Sequence, residues 1–84
     1  MNSEDTLIFS RDSISEKLVY DTLKEVFEIL KERGYNPVNQ IVGYIQSGDL
    51  GYISSYKDAR VKIANLDRST LIEVLLKSFL KWDV

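Results

Sequence analysis

Fifteen consecutive residues, Gly34 to Gly48 (GYNPVNQIVGYIQSG), carry no charge in a chain of 84 residues of which 29% are charged. A helix on the surface of a soluble protein normally marks its solvent side with Lys and Glu. This stretch opens on Asn36-Pro37, a preferred helix cap followed by proline at a position where the missing N–H costs little. It then places Val38, Ile41, Val42 and Ile45 on one side and Asn39, Gln40, Gly43 and Gln46 on the other. Such a helix suits burial from two directions, against the chain's own core and against a neighbour.

The flanking sequence is helical as well. Ser13-Ile14-Ser15-Glu16 fits a capping box, and Gly34 can adopt the left-handed conformation that closes a helix begun there. Between them, Val19, Leu23, Val26, Phe27 and Leu30 share one face, with Lys17, Asp21, Lys24, Glu28 and Lys31 opposite. Ile14, Leu18 and Ile29 lie beside the main stripe, where they either widen the core-facing surface or form a second contact. Ser47-Gly48-Asp49 stops the second helix, and Leu50–Ile53 reads as a connector. Ser54 or Ser55 is placed to cap a third helix, Tyr56–Ala64, with Asp58 and Lys62 spaced as an i,i+4 pair. Asp67 is placed to cap a fourth, Arg68–Lys81. The apolar residues Leu71, Ile72, Leu75, Leu76, Phe79, Leu80 and Trp82 cover nearly half of that last helix, so it is either central or half of a dimer contact.

No segment reads as a strand, and the pattern predicts an all-α fold, a small compact helical domain of four to five helices. Residues 13–84 form this single domain, and residues 1–12 (MNSEDTLIFSRD) form a flexible polar tail. A chain of this size buries only about 60–65% of its unfolded surface. An intertwined or side-by-side homodimer would make up the deficit, with Val38, Ile41, Val42, Ile45, Phe79 and Trp82 as the interface residues.

Residue types exclude most chemistry. The chain has neither cysteine nor histidine, which removes thiol catalysis, disulfides and the commonest metal ligand and general base. No glycine-rich phosphate loop is present. The carboxylates of the first helix sit among lysines as a solvated network, and Asp49 lacks the following acids of a calcium loop. We expect no enzyme activity, no cofactor and no metal. No apolar run approaches the ~20 residues of a membrane span, and the acidic start MNSEDT is unlike a signal peptide, so a cytoplasmic domain without membrane insertion is expected.

Two short helices around a turn, with Lys57, Arg60 and Lys62, share the layout of a helix-turn-helix DNA reader. A net charge of −2 denies that reading the electrostatic attraction on which non-specific binding rests, so no nucleic-acid partner is expected. Between Lys57 and Arg68 the basic side chains outnumber the acidic ones. They either balance the acidic first helix or receive an anionic group such as a phosphate.

The stretch GYNPVNQIVGYIQSGD, continued by Tyr52-Ile53 and by Lys57-Asp58-Ala59-Arg60, closely resembles the IreB family, and the likeness extends over essentially the whole chain. The resemblance implies a non-catalytic helical homodimer, phosphorylated on an N-terminal threonine by a Ser/Thr kinase with PASTA domains and reversed by its phosphatase. It further implies control of Clp-protease turnover of the enzyme that commits UDP-N-acetylglucosamine to peptidoglycan synthesis. The phosphothreonine carries over to Thr6, followed by Leu7 and Phe9 at the family spacing, with Ser3 as a minor acceptor. Tyr52, Lys57, Arg60 and Lys62 become the partner-binding residues. The chain departs from its relatives at Leu50, where they usually carry proline, and near Ser55, where they carry arginine. Two rival readings stand beside this one: a structural dimeric module never modified on its tail, and a nucleic-acid-binding regulator.

Overall fold

The computed structural model describes residues 3–81, with side chains from residue 16 to residue 81. It consists of α1 (Ser3–Glu32), α2 (Pro37–Ser47), α3 (Ala59–Ala64) and α4 (Arg68–Leu80), with 3₁₀ turns at Leu50–Tyr52 and Tyr56–Asp58. No strand occurs among the described residues. The all-α fold is as the sequence predicts.

Local signals explain most boundaries. At the end of α1, Gly34 takes φ 86°, while the Tyr35 N–H donates to the Leu30 carbonyl (2.9 Å) and the Gly34 N–H to that of Lys31 (3.1 Å). This is the Schellman closure, open to glycine without strain. Asn36 caps α2 as expected, its side-chain oxygen accepting the Asn39 N–H at 3.1 Å, with Pro37 in the first turn. Gly48, at φ 75°, closes α2, and the Arg68 guanidinium donates to the Ile45 carbonyl at 3.1 Å.

Three boundaries differ from the sequence reading. Helix α1 begins at Ser3, upstream of the capping box at Ser13, because no glycine or proline interrupts 3–33 and a local cap yields to a continuous backbone ladder. The third helix begins at Ala59, not Tyr56, because Lys57 and Asp58 both take left-handed conformations (φ 52° and 60°). That break removes the i,i+4 relation between Asp58 and Lys62 and the shared helix face of Lys57 and Arg60. Asp67 does precede α4 in an extended conformation, but without a side-chain bond to the helix backbone. Its carboxylate instead accepts the Ser69 and Thr70 hydroxyls, and the Ser69 bond is the main cause holding its pKa below the usual value.

The core lies around α1, which packs against α2, α3 and α4. From α1 it takes Val19, Val26, Ile29 and Leu30, and from the other elements Tyr44, Ile53, Ala59, Ile63 and Leu71. Ile29 is therefore core, while Leu18, its neighbour on the side stripe, is exposed. Tyr44, outside the predicted apolar stripe of α2, is the most buried residue of that helix. It turns α2 so that Val38 and Val42 face outward. Gly43 admits this packing: a Cβ there would meet the Tyr52 ring at 2.5 Å. Helix α4 is not central, since Leu71 alone of its residues is fully buried.

Burial of a Leu, Ile or Val side chain stabilises a fold by about 1.5–3 kcal/mol. Leu30 is fully buried, so Leu30→Ala should cost about 2–5 kcal/mol, read as a lowered urea midpoint. Leu18→Ala, at an exposed position of the same helix, should change stability by no more than about 0.5 kcal/mol. Equal losses from the two would contradict this packing.

Candidate functional site

The molecule presents two surfaces of different chemistry. The first is an apolar groove of about 470 Å³ between α1, α2 and α4. Tyr20, Leu23 and Phe27 of α1 form one wall, Val74 and Leu75 of α4 another. The expected interface residues Val38, Ile41, Val42 and Ile45 of α2 meet there together. Ile41 and Ile45 also reach the core, whereas Val38 is 59% and Val42 45% exposed. Lys24, Ser78 and the Tyr20 hydroxyl are the polar side-chain groups among the lining residues. Side chains of this kind exclude water but offer an incoming polar group few partners. Phe79, also expected at an interface, stands one turn beyond Leu75 on α4 and is 83% exposed. Trp82 lies outside the described residues.

The second surface is polar and centres on α3 and the connector before it. The connector is held from both sides: the Gln40 side-chain amide donates to the Tyr52 carbonyl (2.9 Å), and the Arg60 Nε donates to that of Ile53 (2.7 Å). The Tyr52 ring lies over Gly43 and stays partly in solvent. Lys57 pairs with Glu32 at 3.7 Å, and Lys62 pairs with Glu25. The Tyr56 ring is approached by the Arg33 guanidinium, 4.6 Å from its centroid, and by the Lys57 ammonium at 5.2 Å, both within cation–π range.

Tyr52, Arg60, Lys57 and Lys62 thus gather on the connector and α3, but Lys57 and Lys62 are already paired with acids of α1. Of the two readings of the basic cluster, the contacts carry the balancing one. Exposed pairs of this sort contribute only about 0–1 kcal/mol each, so an anionic partner could displace them at small cost. The side chains of Thr6 and Ser3 lie outside the described residues, although the backbone of both belongs to α1.

Sequence reasoning missed Tyr20 in the groove wall and Glu25 and Glu32 as cross-helix partners. Tyr20 sits between Val19 and Asp21, with no periodic signal to separate it from the charged face. Glu25 and Glu32 read as members of a solvated α1 network, and only the tertiary approach of α3 gives them distant partners.

Arg60 and Lys57 should separate by their roles. Arg60→Ala removes a bond to the connector and should lower stability by about 1 kcal/mol. Lys57→Ala removes an exposed pair with Glu32 and an exposed contact with the Tyr56 ring, and should change it by less, about 0.5 kcal/mol. Thermal melts of the two variants check this, and a larger loss from Lys57→Ala would reverse the assignment.

A family model described as IreB regulatory phosphoprotein matches residues 4–81. That span takes in the uncharged second helix with its Asn36 cap, the Gly43–Tyr52 contact, the connector and all of α4. The helical architecture and the sequence match converge, and the chain belongs to the IreB family of regulatory phosphoproteins.

Proposed function

We propose that this chain is a non-enzymatic, dimeric switch protein, phosphorylated at Thr6 by a PASTA-domain Ser/Thr kinase and reset by its phosphatase. Its output is control of Clp-dependent turnover of UDP-N-acetylglucosamine 1-carboxyvinyltransferase, the committing enzyme of peptidoglycan synthesis, in the cytoplasm. The observation that carries this reading is membership of a family of regulatory phosphoproteins over a span that includes Thr6. The two uncovered surfaces support it: a protein that acts by contact needs faces for partners rather than an enclosed catalytic cleft.

A phosphate at Thr6 would add about −1.5 to −2 charges at pH 7 to a chain of net charge −2. The continuous α1 constrains what that charge can reach. From Thr6 to Glu25, the partner of Lys62, nineteen residues of helix at about 1.5 Å each span roughly 28 Å. While α1 stays helical, the phosphate therefore cannot settle on the basic cluster of its own chain. It acts on a surface that approaches the N-terminal end of α1, where it attracts or repels a partner directly. Tyr52 and the Lys57–Lys62 edge form a separate contact for the degradation machinery or its substrate. No helix of the described residues is long and apolar enough to cross a membrane, in keeping with action on soluble partners.

Incubation of the protein with its host's PASTA-type kinase and ATP, followed by peptide mapping, tests the proposal. Phosphate should appear on Thr6, with at most a minor fraction on Ser3, and Thr6→Ala should lock the protein in its unphosphorylated activity toward turnover of the target. Phosphate confined to α2–α4, or none at all, would overturn the switch and favour the unmodified structural module.

A further inference from the structure

We infer that Gln40, Gly43 and Arg60 are positioning residues with one common task, to hold the Tyr52 ring fixed and exposed as the anchor of the contact with the target. This inference rests on the contact reading of Tyr52 given above. It gives Arg60 a different task from that of its basic neighbours Lys57 and Lys62.

Side chains from two helices pin the backbone on either side of Tyr52. Within the connector, Asp49 Oδ1 accepts the Gly51 N–H (2.8 Å), and the Ile53 N–H donates to the Leu50 carbonyl (3.0 Å). The Gln40 amide then reaches the Tyr52 carbonyl from α2, and the Arg60 Nε reaches the Ile53 carbonyl from α3. Ile53 itself is buried in the core. The backbone of Tyr52 cannot shift without breaking one of these attachments.

The ring has its own seat. Gly43 lies inside α2, where glycine weakens a helix relative to alanine. A Cβ there would stand 2.5 Å from Cε1 and 2.6 Å from Cδ1 of Tyr52, closer than van der Waals contact allows. The glycine therefore serves the ring and not the helix. Core packing gains from complete burial, yet this ring is held firmly and Tyr52 remains 41% exposed. What such an arrangement gains is order before a partner arrives. A tyrosine offers a large contact area on few rotatable bonds, and fixing it in advance removes the ordering cost from binding.

Arg60 differs from its neighbours in where it is engaged. The ammonium groups of Lys57 and Lys62 meet exposed acids of α1, whereas the Arg60 Nε–H is committed to a backbone carbonyl of the connector. Counted along the side chain, glutamine places its amide nitrogen where arginine has Nε, and lysine has a methylene there. Arg60→Gln thus keeps the donor and discards the charge, and Arg60→Lys does the reverse.

Two measurements on the full chain test this. One is the nuclear Overhauser contact between the α-proton of residue 43 and the Tyr52 ring; the other is the half-life of the target enzyme in host cells carrying each variant. Tyr52→Ala should cut the chain's effect on that half-life several-fold. Gly43→Ala and Arg60→Lys should lose the ring contact, cut the effect as much, and add nothing further when combined with Tyr52→Ala, with helical circular dichroism intact. Arg60→Gln should keep both the ring contact and the effect. Should Gly43→Ala fail to fold, Gln40→Ala, which leaves the seat clear, takes its place with the same expectations. An effect kept in Arg60→Lys and lost in Arg60→Gln would overturn the positioning role and make Arg60 a charged contact. Losses that add to that of Tyr52→Ala would overturn the common task. A full effect with Tyr52→Ala would overturn the contact reading and this inference with it. If the wild-type chain leaves the half-life unchanged, the turnover reading fails, and the ring contact, lost in Arg60→Lys and kept in Arg60→Gln, still decides the positioning alone.

Discussion

Everything in this structure leans on the apolar stripe of α1. Val19, Val26, Ile29 and Leu30 are the buried residues from which the core grows, and α2, α3 and α4 each pack on the same helix. The shorter elements could not hold one another without it: α3 spans Ala59–Ala64, well below the length at which an isolated helix is stable. Its place is set by Ala59 and Ile63 in the core, by the bond from Arg60 to the connector, and by the ion pair from Lys62 to Glu25. A single long helix thus serves as template, and the other elements are stable only as they cover it.

That arrangement has a consequence at the surface. Three short helices laid on one long one cannot enclose all the apolar side chains that the chain carries. The excess collects where α2 and α4 meet α1, and along the free side of α4. Extra core burial could have been achieved with larger residues, but Gly43 keeps α2 close to the connector and Tyr44 turns its valines outward. The uncharged character of residues 34–48 is therefore not a sign of deep burial. It belongs to a helix with one face in the core and another, carrying Val38 and Val42, left exposed.

Much of this was legible in the sequence, and the reasons differ from element to element. The caps at Asn36 and Gly34, the proline at Pro37 and the stop at Gly48 are local signals that depend on few neighbours, and each marks its boundary in the structure. The stripe of α1 follows from its period. The start of α1 was hidden because a capping box at Ser13 competes with an uninterrupted helical ladder, and only the latter extends to Ser3. The left-handed pair Lys57-Asp58 lacks the glycine that would announce it. The residues around it meet Glu32, Arg33 and the Ile53 carbonyl, neighbours that only the tertiary fold brings close. The grouping of Val38, Ile41, Val42 and Ile45 in one groove was readable from helical spacing. The opposing wall of Tyr20, Leu23 and Phe27 required the packing angle between helices, which no local pattern carries. The family was readable from the run Asn36–Tyr44 and agrees with the match over residues 4–81.

If Thr6 is the switch proposed above, this protein is a fixed scaffold whose regulation is added at one end and leaves the packing unchanged. Amide chemical shifts recorded before and after phosphorylation by the kinase test that most directly. Shifts should move in the first turns of α1 and stay unchanged at the core amides of Leu30, Ile53, Ile63 and Leu71. Displacement of those core amides on phosphorylation would show that the switch remodels the fold, and the scaffold account would be wrong.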